Sequence, residues 1–156
     1  MIDIDIPGFD RLTLEHIVMD YNGTLAMDGA LHLGVREELK CLAKDLRLHI
    51  ITADTHGIAA AQLDGLPVSL TIIPSEAQAE TKLEYVRDLG AEHVVAIGNG
   101  RNDRLMLEAA ALGIAVIQKE GASGAAMQSA DIFTTSVLDA IDLLKYPRRL
   151  IATLRS

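Results

Sequence analysis

Four polar side chains stand at the ends of apolar runs or shortly after them, where the edge of a folded sheet would open to solvent. Asp20 follows His16-Ile17-Val18-Met19, Thr52 closes the run from Leu48, and Asn99 comes after Val94-Val95-Ala96-Ile97. Lys82 lies in the first half of an amphipathic stretch downstream of Leu70-Thr71-Ile72-Ile73. In open α/β sheets, ligands sit beyond the carboxyl ends of the strands, near the point where strand order reverses. A carboxylate, a hydroxyl, an amide and an ammonium would then converge on one rim.

The elements that must position these groups follow from the apolar pattern. Ile2-Asp3-Ile4-Asp5-Ile6 alternates with period two, which predicts a strand with one buried face, ended by Pro7-Gly8. The continuous run at 16–19 reads as a strand covered on both sides and that at 48–52 as a second buried strand, with further strands at 70–73, 94–97, 114–117 and 132–134. Between them, helical spacing predicts helices over 35–46, 58–63, the stretch carrying Leu83, Val86 and Leu89, 102–111 and 122–129. A carboxy-terminal helix starts at Val137 and is expected to continue past Pro147. Ser75 is the expected cap of the helix that carries Lys82, and Gly90 its end. Alternating strands and helices imply right-handed crossovers. The expected fold is therefore α/β, a doubly wound parallel sheet in a three-layer α/β/α arrangement, with residues 1–156 forming one domain.

Composition narrows the function classes. The chain has 156 residues, 49% hydrophobic and 23% charged, which is ordinary globular usage. Aromatics are only 3% and the formal charge is −8, so neither base-stacking platforms nor a basic face for nucleic acid is expected. The single cysteine, Cys41, excludes a disulfide framework and thiolate metal clusters, and is expected in the core. No apolar run reaches the ~18 residues of a membrane span, and the first residues lack the pattern of a secretory signal, so a cytoplasmic location is expected.

Two motifs sharpen the reading. Asp20-Tyr21-Asn22-Gly23-Thr24 resembles the D-x-D-G-T signature of the haloacid dehalogenase superfamily and its D-K-T-G-T version in P-type ATPases. Gly98-Asn99-Gly100-Arg101-Asn102-Asp103 is similar to the G-D-G-x-N-D signature of P-type ATPases and several phosphatases of that superfamily. Thr52 and Lys82 match its two remaining motifs, in the right order. The resemblance covers roughly residues 16 to 134 and is greatest to the soluble P-type ATPase-like hydrolases. It implies a phosphohydrolase with Asp20 as nucleophile, passing through an aspartyl-phosphate. It also implies phosphate binding by Gly23, Thr52, Ala53 and Lys82, and a Mg²⁺ ion held by Asp20, the Asn22 backbone carbonyl, Asn99 and Asp103. The implied partner is a phosphorylated small molecule or macromolecule.

Two positions depart from the pattern. Asn22 stands where many of these phosphatases have an Asp that protonates the leaving group and activates water, and an amide does neither. Asn99 replaces an acidic metal ligand with a neutral one. Slow turnover is expected, and the rival reading is a degenerate domain that binds a phosphorylated ligand without efficient catalysis. The intervals Thr24–Thr52 and Thr52–Lys82 are too short for a cap domain, so the site is expected to be open, with Gly29 to His32 as a mobile flap or a neighbouring subunit of a homo-oligomer over the rim. Asp28, Asp54 and His56 read as turn residues near that rim. The histidines lack paired metal spacing, no phosphate-loop motif occurs, and Gly98-x-Gly100 lacks the third glycine of a dinucleotide fingerprint.

Overall fold

A computed structural model describes residues 1–156. Its core is a six-stranded parallel sheet built from β3 (His16–Asp20), β6 (Arg47–Thr52), β7 (Val68–Ile72), β8 (Val94–Gly98), β9 (Leu112–Val116) and β10 (Ile132–Thr134). Its spatial order is β10-β9-β8-β3-β6-β7. The chain lays down β3, β6 and β7 toward one edge, returns to place β8 on the other side of β3, and continues outward. Strand order therefore reverses between β3 and β8, the strands that lead into Asp20 and Asn99.

Period-two alternation divides each strand between two apolar layers. Ile17, Met19, Leu48, Ile50, Val95, Ile97, Ile114 and Val116 enter a cluster of 30 buried residues, whereas Val18, Ile51, Val94 and Ala96 face a separate cluster of 10. The larger layer is closed by α1 (Val35–Leu42), α2 (Ile58–Gln62), α6 (Val137–Lys145) and α7 (Pro147–Leu154). The smaller is closed by α3 (Gln78–Leu89), α4 (Arg104–Ala109) and α5 (Gly124–Ser129). This is the expected doubly wound α/β/α fold. No helix is long and apolar enough to cross a membrane.

Several local expectations are corrected. The first strand, β1 (Ile2–Ile6), does not stand alone: β2 (Asp10–Leu14) pairs with it antiparallel and buries Leu12 and Leu14 in the larger layer. The carboxy-terminal helix does not run through Pro147. It ends at Lys145, and α7 begins with Pro147 in its first turn, where a missing N–H costs nothing. Ser75 does not cap α3. Ala77 precedes the first turn at φ 52°, and the Ser75 hydroxyl bonds to Glu76. Cys41 is exposed, since α1 turns Leu39 and Leu42 inward instead.

The intervals between motifs hold only small elements. β4 (Ala26–Met27) and β5 (Ala30–Leu31) form a hairpin between Thr24 and α1, and only α2 and β7 lie between Thr52 and α3. No domain is inserted at either place.

Candidate active site

Three charged side chains meet at the carboxyl end of the sheet. Lys82 Nζ donates to Asp20 Oδ1 at 2.9 Å and to Asp103 Oδ1 at 2.7 Å. Helical geometry explains how α3 delivers the ammonium: Ala79 and Val86, one turn to either side of Lys82, are also buried, so Lys82 belongs to the inward face. Glu80 and Glu84 flank it in sequence but fall on the far side of the helix. Asn102 Oδ1 is a third, longer partner of the ammonium at 3.5 Å, and Asn102 in turn donates to Gln78 at the start of α3.

Accessibility separates the three roles. Lys82 is 1% exposed and Asp103 0%, whereas the Asp20 side chain retains 13%. Asp20 is thus the member that a ligand can touch. Asp103 has both oxygens committed, since Oδ2 accepts from the backbone N–H of Asn99 at 3.0 Å and of Gly100 at 2.9 Å. Gly98 makes this closeness possible, because a Cβ there would lie 2.5 Å from the Asp103 carboxyl carbon. Burial is the main cause that raises the Asp20 pKa to about 7, with the Asp103 charge adding to it and Lys82 opposing it. For Lys82, burial works against the charge, but the two carboxylates outweigh it and raise the pKa.

The loop after β3 is wound tightly around Gly23. The N–H groups of Thr24, Leu25 and Ala26 all donate to the Tyr21 carbonyl, and Gly23 adopts φ +83°, a conformation open to glycine. A Cβ on Gly23 would fall 1.9 Å from Glu120 Oε2 and within 2.7 Å of the Asn99 amide atoms. Asn99 and Glu120 therefore crowd the same face of this loop. Thr24 is fully buried and its hydroxyl donates to Asn99 Oδ1 at 3.4 Å. Thr52 is buried at the end of β6, the strand beside β3, where its hydroxyl accepts from Asp54 N–H, and half-buried Ala53 follows it.

The β4–β5 hairpin is tied to the same loop. The Tyr21 hydroxyl donates to the Gly29 carbonyl at 2.7 Å, and Asn22 Oδ1 accepts from the Gly29 N–H at 2.9 Å. Burial pushes the Tyr21 phenol up to about 12, so it stays a donor at any ordinary pH. The first residue of the expected flap is thus held on both sides of its backbone. Asn22 also lines a cavity of about 300 Å³ with Asp28, Asp54, His56 and Glu120. Asp28 takes φ 51° in the hairpin turn, and Asp54 accepts from the backbone N–H groups of His56 and Ala59. Both stand in turns, as the sequence suggests, and Asp54 in addition holds the start of α2.

The structure brings Asp20, Lys82 and Asp103 into direct contact, sets Asn99 against Gly23, and puts Thr52 at the end of the neighbouring strand. The sequence reading missed Asn102, Gln118 and Glu120. Asn102 lay within a motif already quoted. Gln118 directly follows the apolar run of β9, where the rule that found Asp20 and Asn99 finds it too, while Glu120 lies two residues further on. Gln118 Nε2 donates to the carbonyls of Gly23 and Thr24, which staples the two loops together.

No group of three or more His, Cys, Asp or Glu side chains is placed to hold a metal. A cation here would be held by Asp20, by amide and backbone oxygens, and by whatever Glu120 contributes. An all-oxygen set of this kind fits Mg²⁺, which prefers hard oxygen ligands and retains waters, and does not fit zinc.

Known proteins resemble this chain in sequence and in fold. An uncharacterized protein of Methanocaldococcus jannaschii is 45% identical over 78 residues, 47% of this chain and 84% of that protein. A soluble P-type ATPase-like phosphatase of the same organism is 29% identical over 126 residues, 78% of this chain but 46% of its own length. The 3-deoxy-D-manno-octulosonate 8-phosphate phosphatase of Moraxella catarrhalis, solved with magnesium, phosphate and KDO, shares the fold. Its TM-score is 0.71 at 20% identity, over 92% of this chain and 94% of that one. Residues 63–140, half of the chain, match the haloacid dehalogenase-like hydrolase family, and to that family the protein belongs.

Proposed function

We propose that the protein is a phosphohydrolase that works through an aspartyl-phosphate on Asp20, with a divalent cation, Mg²⁺, as cofactor. The observation that carries this reading is the buried Lys82 ammonium shared between Asp20 and Asp103, with Asp20 alone reachable from outside. The magnesium and phosphate bound by the Moraxella catarrhalis phosphatase support the choice of ion.

The accessible Asp20 oxygen attacks phosphorus, an Asp20–phosphorus bond forms, and the bond to the leaving oxygen breaks. Lys82 neutralises Asp20 and the incoming dianion, and Thr52 donates to a phosphoryl oxygen once its hydroxyl turns outward. The small Gly23 surface and the backbone at Ala53 let the phosphoryl group settle against the loops. We assign Asp103 to holding Lys82 rather than to the cation, because both of its oxygens already have partners. A bound Mg²⁺ would add positive charge at Asp20 and at a phosphoryl oxygen, near the Asn22 carbonyl and Asn99. Water then attacks phosphorus, breaks the bond to Asp20 and releases inorganic phosphate.

Asn22 has no proton to give the leaving group, and its side-chain oxygen is committed to Gly29. The general acid–base contribution, typically ~10²–10⁴-fold, is therefore missing, and turnover is slow. Substrates whose leaving group departs without a proton, such as acyl phosphates, should outpace simple alkyl phosphates. The site is open enough for a phosphorylated small molecule or a macromolecule.

The test is hydrolysis of acetyl phosphate and p-nitrophenyl phosphate with and without Mg²⁺, with Asp20→Asn as control. Mg²⁺-dependent activity lost in Asp20→Asn, with phosphoprotein trapped by acid quench, supports the reading. Activity that persists in Asp20→Asn, or its absence with both substrates, overturns it.

A further inference from the structure

We propose that Glu120 supplies the second carboxylate of the cation pocket, standing in for the acid that Asn99 lacks. The proposal rests on the phosphohydrolase reading above and adds a residue to it.

The motif positions leave the pocket short of negative charge. Asn22 and Asn99 are neutral, and Asp103 is fully buried with its oxygens taken by Lys82 and two backbone N–H groups. Asp20 is then the only motif carboxylate facing a cation, and Lys82 already offsets it. Mg²⁺ sites in proteins usually draw on one or two carboxylates. Glu120 is the acidic side chain that lies against this loop, its Oε2 in the space that a Cβ on Gly23 would fill, next to the Asn99 amide.

Its place there is built and not incidental. On one side of Glu120, Gln118 spans two elements, donating to the Gly23 and Thr24 carbonyls and accepting from Val137 N–H at 2.9 Å. On the other side, Asn99 Nδ2 donates to the Gly121 carbonyl at 3.1 Å, and Ser123 N–H donates to the Asn99 carbonyl at 2.8 Å. The loop after β9 is thus fastened to the Asp20 loop before Glu120 and to Asn99 after it. These bonds fix the backbone of the loop, while the Glu120 carboxylate itself is left exposed at the rim. Of the other two acids of the adjoining cavity, Asp54 is engaged by the His56 and Ala59 N–H groups, and Asp28 stands in the hairpin turn.

The same amide that is too neutral to replace an acid thus holds the loop that brings one. The test is Mg²⁺ binding measured by calorimetry in the absence of substrate, on the wild type, Glu120→Gln, Asp20→Asn and Glu120→Gln/Asn99→Asp, each checked for folding by circular dichroism. Losing even an outer partner of a metal ligand typically weakens binding about 10–100-fold, so losing a carboxylate of the pocket should cost at least that much. We expect a loss of at least that size in Glu120→Gln, a greater one in Asp20→Asn, and recovery in the double variant. Wild-type affinity in Glu120→Gln with loss in Asp20→Asn would overturn the role of Glu120 and leave the phosphohydrolase reading standing. Failure of Asn99→Asp to restore binding would also overturn the stand-in role. No saturable binding by the wild type, or no effect of Asp20→Asn, would overturn the cation pocket and this proposal together.

Discussion

Replacing Asp20, the nucleophile we propose, should stabilise the fold, and the pH at which it does so follows from the geometry. Asp20 and Asp103 flank one ammonium in a buried site, so the ionised trio carries one uncompensated negative charge. Burial and Asp103 lift the Asp20 pKa from 3.8 to about 7. A carboxyl whose pKa is raised on folding binds its proton more tightly in the native state, so stability falls as pH rises from the unfolded value through the folded one. At 1.36 kcal/mol per pKa unit, a shift of this size amounts to about 4 kcal/mol, fully lost above pH 7. Asparagine at position 20 keeps the shape and an oxygen for Lys82 but removes the charge. Thermal melts of the wild type and Asp20→Asn in EDTA should coincide near pH 4 and separate progressively up to pH 8, with the variant higher. At roughly 2–4 °C per kcal/mol for a chain of this size, the gap should reach on the order of 10 °C. Equal melting temperatures at pH 8, or a less stable variant, would refute the account of the trio as a strained charge arrangement.

Other consequences are as direct. Asn22→Asp keeps an acceptor for the Gly29 N–H while adding a titratable group, and should raise the p-nitrophenyl phosphate turnover by at least tenfold; an unchanged rate would mean that another group already moves the proton. Lys82→Met leaves two buried carboxylates without their partner, and should abolish activity and cost about 3–5 kcal/mol, read as a lowered urea midpoint at pH 8. His49, bonded to His16 at 3.1 Å and to Tyr85 at 2.9 Å, is pushed down to about 4 chiefly by burial, with His16 and Arg47 adding to it. Its contribution is complete above pH 6.5 and lost as pH falls toward 4, about 3 kcal/mol in all. His49→Gln should therefore flatten the acid limb in urea titrations of the Asp20→Asn background; a limb as steep as in Asp20→Asn alone would place the acid sensitivity elsewhere.

The inner strands β3, β8 and β9 were legible because they are buried almost throughout and carry apolar runs, whereas β7 and β10 at the two edges are partly exposed and were marked by short apolar runs. β2 was not legible, because Asp10 and Arg11 interrupt its alternation and only Leu12 and Leu14 reach the core. The break at Pro147 was readable from the missing N–H alone, but the apolar spacing of Leu150, Ile151 and Leu154 invited one continuous helix. At the site, residue types and strand ends located Asp20, Thr52, Lys82 and Asn99. What spacing could not give was the direction of each side chain. Asp103 looked like a ligand of the rim, yet Gly98 leaves room for it to fold back against its own loop and under Lys82. Glu120 was passed over because it sits past the end of its strand and three residues beyond the last apolar position.

The two asparagines acquire a common logic from these contacts. An Asp at position 22 would offer the Gly29 N–H the same acceptor, but at position 99 an Asp would lose the N–H groups that donate to Gly121. Asn99 must accept from Thr24 and donate to Gly121 at once, which an amide does and a carboxylate cannot. Charge was thus exchanged for a clamp at position 99, while position 22 remained free in fold terms to carry an acid. The slow chemistry we propose therefore follows from Asn22, which a single atom exchange would reverse, whereas Asn99 is held in place by the packing of the β9 loop.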